Sequence, residues 1–331
     1  MWNQYQKSMH APLSALKNVQ MNLGFEEYQK LPGLNYHGLK NFFENPLKWK
    51  EGWFDDRPET PAMKFGTMAH VLLLQGRDEF FSRYRLWTPP VNPKTGSAFG
   101  AETKAYKEAQ LEWYAANPGK EPVSEETLKT LDAMRAETER NPQFQRFFRP
   151  GAPAGDSSRR CLGEPFAPDG RSERPDREPD EPETDGVHSE VMFRGPLDGV
   201  PELILKGAID RYDDEFGIID LKTTSALDKR FWKFGVEDRG YVDQLAFYQI
   251  AVHDVCGGGD KYPNAFIAAV ETGGQFRSGI EWIAPPIMER ARARVLDQML
   301  VYATCVKQGI FNGPYDRLII KKSYMGDAAD D

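Results

Sequence analysis

A chain of 331 residues with 40% hydrophobic content is long enough to bury one large core or two modest ones. It holds no apolar run near the roughly 20 residues of a bilayer-spanning helix. Its opening MWNQYQKSMH lacks an apolar h-region, so neither a membrane association nor a signal peptide is expected. Three scattered cysteines (Cys161, Cys256, Cys305) give no zinc or iron–sulfur spacing and point to a reducing, cytoplasmic setting, while a net charge of −8 argues against a surface that coats nucleic acid wholesale.

Up to about residue 33 the pattern is weak and predicts no more than a short helix. Residues 35–50 fit a helix with Leu39, Phe42 and Phe43 inward, stopped near Pro46. Lys48 and Lys50 flank Trp49, which reads either as a basic–aromatic cluster that stacks on bases or as a core Trp with solvated lysines. Thr60-Pro61 is a helix start, and Gly76 a helix end. Gly66, Ala69, His70 and Leu73 share one face of that helix, whose small residues permit close approach to another element. Taken alone, His70 is either a satisfied core histidine or a ligand.

Residues 80–87 read as a strand and 88–100 as a loop dense in Pro and Gly. Helices are predicted over 101–116 and 124–140, the second capped by Ser124 with Glu125 and Glu126 in its first turn. Phe144, Phe147 and Phe148 mark another packed turn. Then the composition shifts: of the 23 residues from Glu164 to Gly186, twelve are charged, five are Pro, and Phe166 is the only bulky apolar one. Such a segment buries too little surface to offset its ordering entropy, and 150–186 is read as a flexible insertion.

Residues 187–193 form a strand containing Glu190, followed by the turn RGPLDGV. A hairpin comes next. Residues 203–209 are apolar around Gly207, 213–217 carry turn chemistry, and 217–221 run apolar again. Asp210 closes the first strand and Asp220 sits late in the second. Ile218, Asp220 and Lys222 then share one face, and Ile219 and Leu221 the other. Two carboxylates and an ammonium around one point suit a hard cation and a phosphate. The competing reading is a surface hairpin with a solvated ion pair. Residues 241–253 read as a helix with Tyr241, Gln244 and Tyr248 on one face. Strands over 265–270 and 276–283 follow, joined through Gly273-Gly274. A long helix over 286–307 has Ile287, Ala291, Leu296, Met299 and Leu300 available for packing, and residues 325–331 form an acidic tail.

The hairpin resembles the core motif of the PD-(D/E)XK nuclease superfamily, with Asp210, Asp220 and Lys222 as its acids and lysine; Ile209 stands at the place of the motif's Pro, which many members also lack. FGTMAH (65–70) is similar to the G-x-x-x-H helix of RecE- and RecB-type exonucleases, and Gln244 to Tyr248 to their Q-x-x-x-Y motif. The ordered set resembles most closely the phage and prophage RecE-like exonucleases of the exodeoxyribonuclease VIII type.

That resemblance implies a restriction-endonuclease-like α/β core, a central mixed sheet flanked by helices, with a helical N-terminal portion. It divides the chain into 1–149, which supplies the His70 helix, the 150–186 insertion, a 187–324 nuclease core, and the 325–331 tail. It implies one or two Mg²⁺ ions, or Mn²⁺ as substitute, held by His70, Asp210, Asp220 and the Leu221 carbonyl. Glu190 is carried over as a second-metal or supporting carboxylate, with an exposed strand Glu as the alternative. Lys222 would position or deprotonate the attacking water, and Gln244 and Tyr248 would orient the phosphate or the lysine.

The expected activity is digestion of linear double-stranded DNA from its ends, 5′ to 3′, in phage-type recombination within a bacterial cytoplasm. A single-strand annealing protein and a homo-oligomeric ring are the implied partners. A structure- or sequence-specific endonuclease of the same superfamily and a catalytically silent DNA-binding scaffold are the alternatives.

Overall fold

The protein is described here by a computed structural model over residues 10–20, 25–54, 58–148 and 186–311. The helices α1 (Phe25–Lys30), α2 (Tyr36–Glu44) and α3 (Pro46–Lys50) come first. Next is α4 (Pro61–His70), which continues into a wider π turn, Val71–Gln75, before α5 (Arg77–Arg83). A short parallel pair, β1 (Tyr84–Leu86) and β2 (Glu121–Val123), brackets α6 (Lys104–Ala116). Helices α7 (Glu125–Arg140) and α8 (Pro142–Phe148) close the N-terminal part.

The main sheet has five strands in sequential order: β3 (Val187–Leu197), β4 (Val200–Asp213), β5 (Gly217–Thr224), β6 (Ala265–Glu271) and β7 (Ser278–Trp282). Only β5 and β6 run parallel; the other neighbours are antiparallel, which makes the sheet mixed. The parallel step needs a crossover. The chain provides one through α9 (Val236–Asp238) and α10 (Tyr241–Ile250), and α11 (Pro285–Gln308) follows β7.

Alternation along β5 decides the layering. Ile218 joins a core with Leu245, Ala246, Val295 and Met299 of α10 and α11. Ile219 and Leu221 join the opposite core with Ala69, Leu72, Met134 and Phe147. The sheet is therefore covered on both faces, and β6 is buried along its whole length, as a parallel central strand should be.

Several local expectations change. Residues 80–83 are helical, because Asp78 and Glu79 favour a helix N-terminus, Arg83 pairs with Glu79 one turn on, and Phe80 turns inward. Only Tyr84–Leu86 is extended. Residues 194–197 belong to β3, and the turn is confined to Asp198-Gly199. The helix stop at Pro46 is a restart: Asn45 caps α3, with Pro46 in its first turn. Trp49 stacks among Phe42, Tyr302 and Phe311, so its core reading holds. On α11, Leu296 and Leu300 face outward, and Met288, Ala291, Val295 and Met299 make the buried stripe. The flexible-insertion reading of 150–186 falls outside the described residues except for Gly186, and that of the 325–331 tail falls wholly outside them.

Candidate active site in the split between two strands

Strands β4 and β5 pair only through Arg211–Ile219, Tyr212–Ile218 and Asp213–Gly217. One step further, where Asp210 would face Asp220, the ladder ends. Asp210 does not close its strand, since β4 runs on to Asp213; it sits where β4 parts from β5. Its Oδ2 accepts the Leu221 N–H at 2.7 Å, a side-chain substitute for the missing ladder bond. The two carboxylates are thus held at the mouth of a fork whose closed end is a tight turn. Gly217 makes that turn possible with φ +107°.

Lys222 lies on the same face as Asp220, two residues along. Its Nζ is 2.6 Å from Asp220 Oδ2, donates to Gln244 Oε1 at 3.0 Å and stands 4.8 Å over the Tyr241 ring. Gln244 in turn donates to the Tyr248 hydroxyl at 3.0 Å. Tyr241, Gln244 and Tyr248 form one face of α10, as their spacing requires, and that face carries the ammonium. Strand β4 lets Tyr248 in at Gly207: a Cβ there would overlap the Phe193 ring and stand 3.1 Å from Tyr248 Cε1.

His70 arrives from the other side of the sheet. Gly66 of α4 faces Thr223 of β5, and Ala69 is fully buried, so small residues bring the helix onto the strand. The ring then reaches the fork, with Nδ1 3.7 Å from Asp210 Oδ1. Glu190 lies where the β3–β4 register skips a pair, between Ser189–Arg211 and Val191–Ile209, at the level of Asp210. Its φ of +48° is unusual for a residue other than glycine, and such outliers cluster at working sites. Gln75 is the polar side chain on Glu190, and Arg83 donates to Gln75 Oε1 at 2.7 Å.

Burial and mutual charge shift the titration of each group in the cluster. Burial raises the Asp220 pKa to about 6, although Lys222 opposes the shift. Burial also raises Asp210, against Lys222 and the Leu221 N–H. His70 falls to about 4, first through burial and then through Lys222, so it is a neutral imidazole at pH 7. Lys222 is penalised by burial, but Asp220 and Asp210 more than offset this and hold its pKa above the ordinary lysine value. At neutral pH it is an ammonium. That favours the charge-stabilising part of its expected role over proton abstraction.

The structure brings Asp210, Asp220, Lys222, Gln244, Tyr248, His70 and Glu190 to one fork, with the Leu221 backbone between the acids. It does not gather the expected ligand set into a closed cage. Among the described residues, no three His, Cys, Asp or Glu side chains stand close enough to form a ready cation site. The reason is visible: Lys222 supplies the counter-charge at Asp220, and the Leu221 N–H occupies Asp210. The donor types nonetheless fit a hard divalent cation. Asp220 Oδ2 is buried and, despite its closeness to Lys222, accepts no well-aligned hydrogen bond.

These features have counterparts. The sequence pattern of a family described as a PDDEXK-like domain of unknown function (DUF3799) matches residues 174–312. The matched stretch is less than half of the chain. The fork, Lys222 and α10 lie inside it, whereas His70 lies outside. Among solved structures, the chain is similar to a crystal structure from Eubacterium rectale of a protein provisionally named an exonuclease. The TM-score is 0.52 at 16% identity, and 88% of each chain is covered, so the likeness extends over the matched stretch and the helical part before it. No curated protein matches the sequence.

Sequence reasoning missed two further residues at this site. His37 on α2 lies within electrostatic reach of both Lys222 and Asp220. It gets there because Tyr36 donates to the Gly240 carbonyl at 2.8 Å, docking α2 on the corner that starts α10. Gly240 has φ +76°, and a Cβ would strike that hydroxyl. Arg211 is the other, a cation buried beside Asp210.

Proposed function

We propose that this protein is a divalent-cation-dependent deoxyribonuclease that hydrolyses phosphodiester bonds of linear double-stranded DNA from an end. The observation that carries the reading is the fork. Two acids from adjacent strands meet a neutral imidazole, and one of them is ion-paired to a lysine two residues along its own strand. The exonuclease name of the Eubacterium rectale protein supports the choice of a free DNA end.

Phosphodiester hydrolysis needs a positioned water, neutralisation of developing charge and help for the leaving alkoxide. Asp210 and Asp220, with His70, are the residues that would hold a divalent cation; Glu190 is close enough to Asp210 to support them. When bound, such an ion neutralises phosphate charge and lowers the pKa of water. The chain's own part is electrostatic. Lys222, an ammonium in the metal-free site, would offer its charge to the phosphoryl oxygens. Gln244 fixes the direction of that ammonium, and Tyr248 fixes Gln244. Burial keeps the local dielectric low, which strengthens each of these interactions. Arginine would not replace Lys222, since its planar fork cannot occupy the space between Asp220, Gln244 and the Tyr241 ring in the same way.

The test uses linear and covalently closed circular duplex side by side, with Mg²⁺ and with a chelator. Loss of the linear form alone, abolished by chelation, is expected. Cleavage of the circle would make the protein an endonuclease of the same fold, and no cleavage of either would contradict the reading.

A further inference from the structure

The least explained group near the fork is Arg211. Its side chain is buried, with the residue only 3% exposed. Burying a guanidinium is costly, and carboxylates normally meet such a group directly. Here no ion pair to it is present among the described residues. Asp210 and Glu190 act on it only through space. The direct partners are neutral: Nη2 donates to the Leu74 carbonyl at 2.9 Å, Nη1 touches the Ser189 hydroxyl, and Nε finds no acceptor. Ser189 donates to the same carbonyl at 3.3 Å.

Leu74 explains the arrangement. It lies one turn past His70, in the π turn Val71–Gln75. The last carbonyls of a helix lack partners within it and carry partial negative charge. A π turn is also a local change of helix register, a feature frequent at functional sites. Arg211 and Ser189 pin it, and they do so from cross-strand neighbours on β4 and β3. Next to Arg211 on β4 is Asp210, one acid of the fork, and next to Ser189 on β3 is Glu190. The spacing between His70 and Asp210 is therefore set by a rigid connection: Asp210 to Arg211 through one peptide, Arg211 to Leu74 through a hydrogen bond, Leu74 to His70 through one helical turn.

We infer that Arg211 is a positioning residue that, with Ser189, fixes the end of the His70 helix and so sets the imidazole against Asp210. The inference rests on the fork being the working site proposed above. Lysine cannot reproduce it, because a single ammonium does not reach the Leu74 carbonyl and the Ser189 hydroxyl in a fixed plane.

The experiment compares wild type, Arg211→Lys and Ser189→Ala. Cooperative thermal unfolding in EDTA establishes folding, Mn²⁺ titration gives the dissociation constant, and the His70 imidazole resonances are recorded in metal-free protein. The expected result is a folded Arg211→Lys whose Mn²⁺ affinity falls about ten- to a hundredfold, as for other residues that hold a ligand in place. Its His70 resonances shift, and Ser189→Ala shows a smaller effect of the same kind. If Arg211→Lys does not fold, Ser189→Ala carries the test alone. Unchanged His70 resonances in a folded variant would overturn the inference. If wild type binds no Mn²⁺, the proposed function fails, and the metal-free resonances still decide the role of Arg211.

Discussion

His70 and Asp210 are 140 positions apart in the chain, yet His70 Nδ1 lies 3.7 Å from Asp210 Oδ1. One stands on a helix outside the residues that match a PDDEXK-like domain and the other on the strand where the sheet forks. The site is therefore assembled from both parts of the chain. His70→Ala should leave the sheet intact and weaken Mn²⁺ binding by at least about tenfold, since it removes a neutral imidazole donor while leaving both acids. Isothermal titration at pH 7 checks this, and an unchanged affinity would place His70 outside the ligand set.

Lys222 tests the electrostatic half of the account. Lys222→Met should lower kcat by roughly 10²- to 10³-fold, the usual cost of removing one group that stabilises developing charge. Metal binding should persist, because the acids remain. Equal losses in Mn²⁺ affinity and kcat would instead make the lysine a structural counter-ion for Asp220.

How much of this was legible in the sequence depends on the range of the interaction. The hairpin could be read because strand alternation and turn chemistry are local, and β5 alternates as expected between the two cores. The face formed by Tyr241, Gln244 and Tyr248 followed from helical spacing alone. The fork was not legible: whether Asp210 and Asp220 are paired or splayed is decided by the sheet on either side. Resemblance, not periodicity, pointed to His70. Arg211 looked like an ordinary strand residue, and His37 an ordinary helix residue, because Leu74 for the one and Lys222 for the other are more than a hundred positions away. The 80–83 misreading was of another kind, with apolar residues that suit either state and acidic residues in the first turn deciding for helix.

The pH dependence of the metal-free fold has a definite sign. The pKa of Asp220 rises from 3.8 to about 6 on folding. The native state thus binds more protons in that window, and Asp220 contributes stability below about pH 4 that is lost as pH rises to about 6. Asp220→Asn removes that loss. In EDTA, the stability of the variant relative to wild type should grow by up to about 1.4 kcal/mol per pH unit between pH 4 and 6, then level off. Any fixed penalty for leaving Lys222 without its partner shifts the curve without changing its slope. Urea unfolding at half-unit pH intervals measures this, and parallel curves would contradict the burial of a titrating Asp220.

Gly207 is the packing counterpart. Gly207→Ala would drive a methyl into Phe193 and against Tyr248, at a cost of about 1–3 kcal/mol for an overpacked core. Its denaturation midpoint should fall with the slope unchanged. A midpoint equal to wild type would mean that the Phe193 ring moves aside freely.

The central claim is that Asp220 belongs to a cation-dependent hydrolytic site. It is tested most directly by incubating linear duplex DNA with wild type and with Asp220→Asn in Mg²⁺, with EDTA as control. The account predicts that wild type releases nucleotides only in Mg²⁺, and that the folded variant is slower by at least about 10³-fold, as expected for loss of a group central to charge neutralisation. Equal rates from wild type and variant, or no degradation by wild type at all, would contradict it.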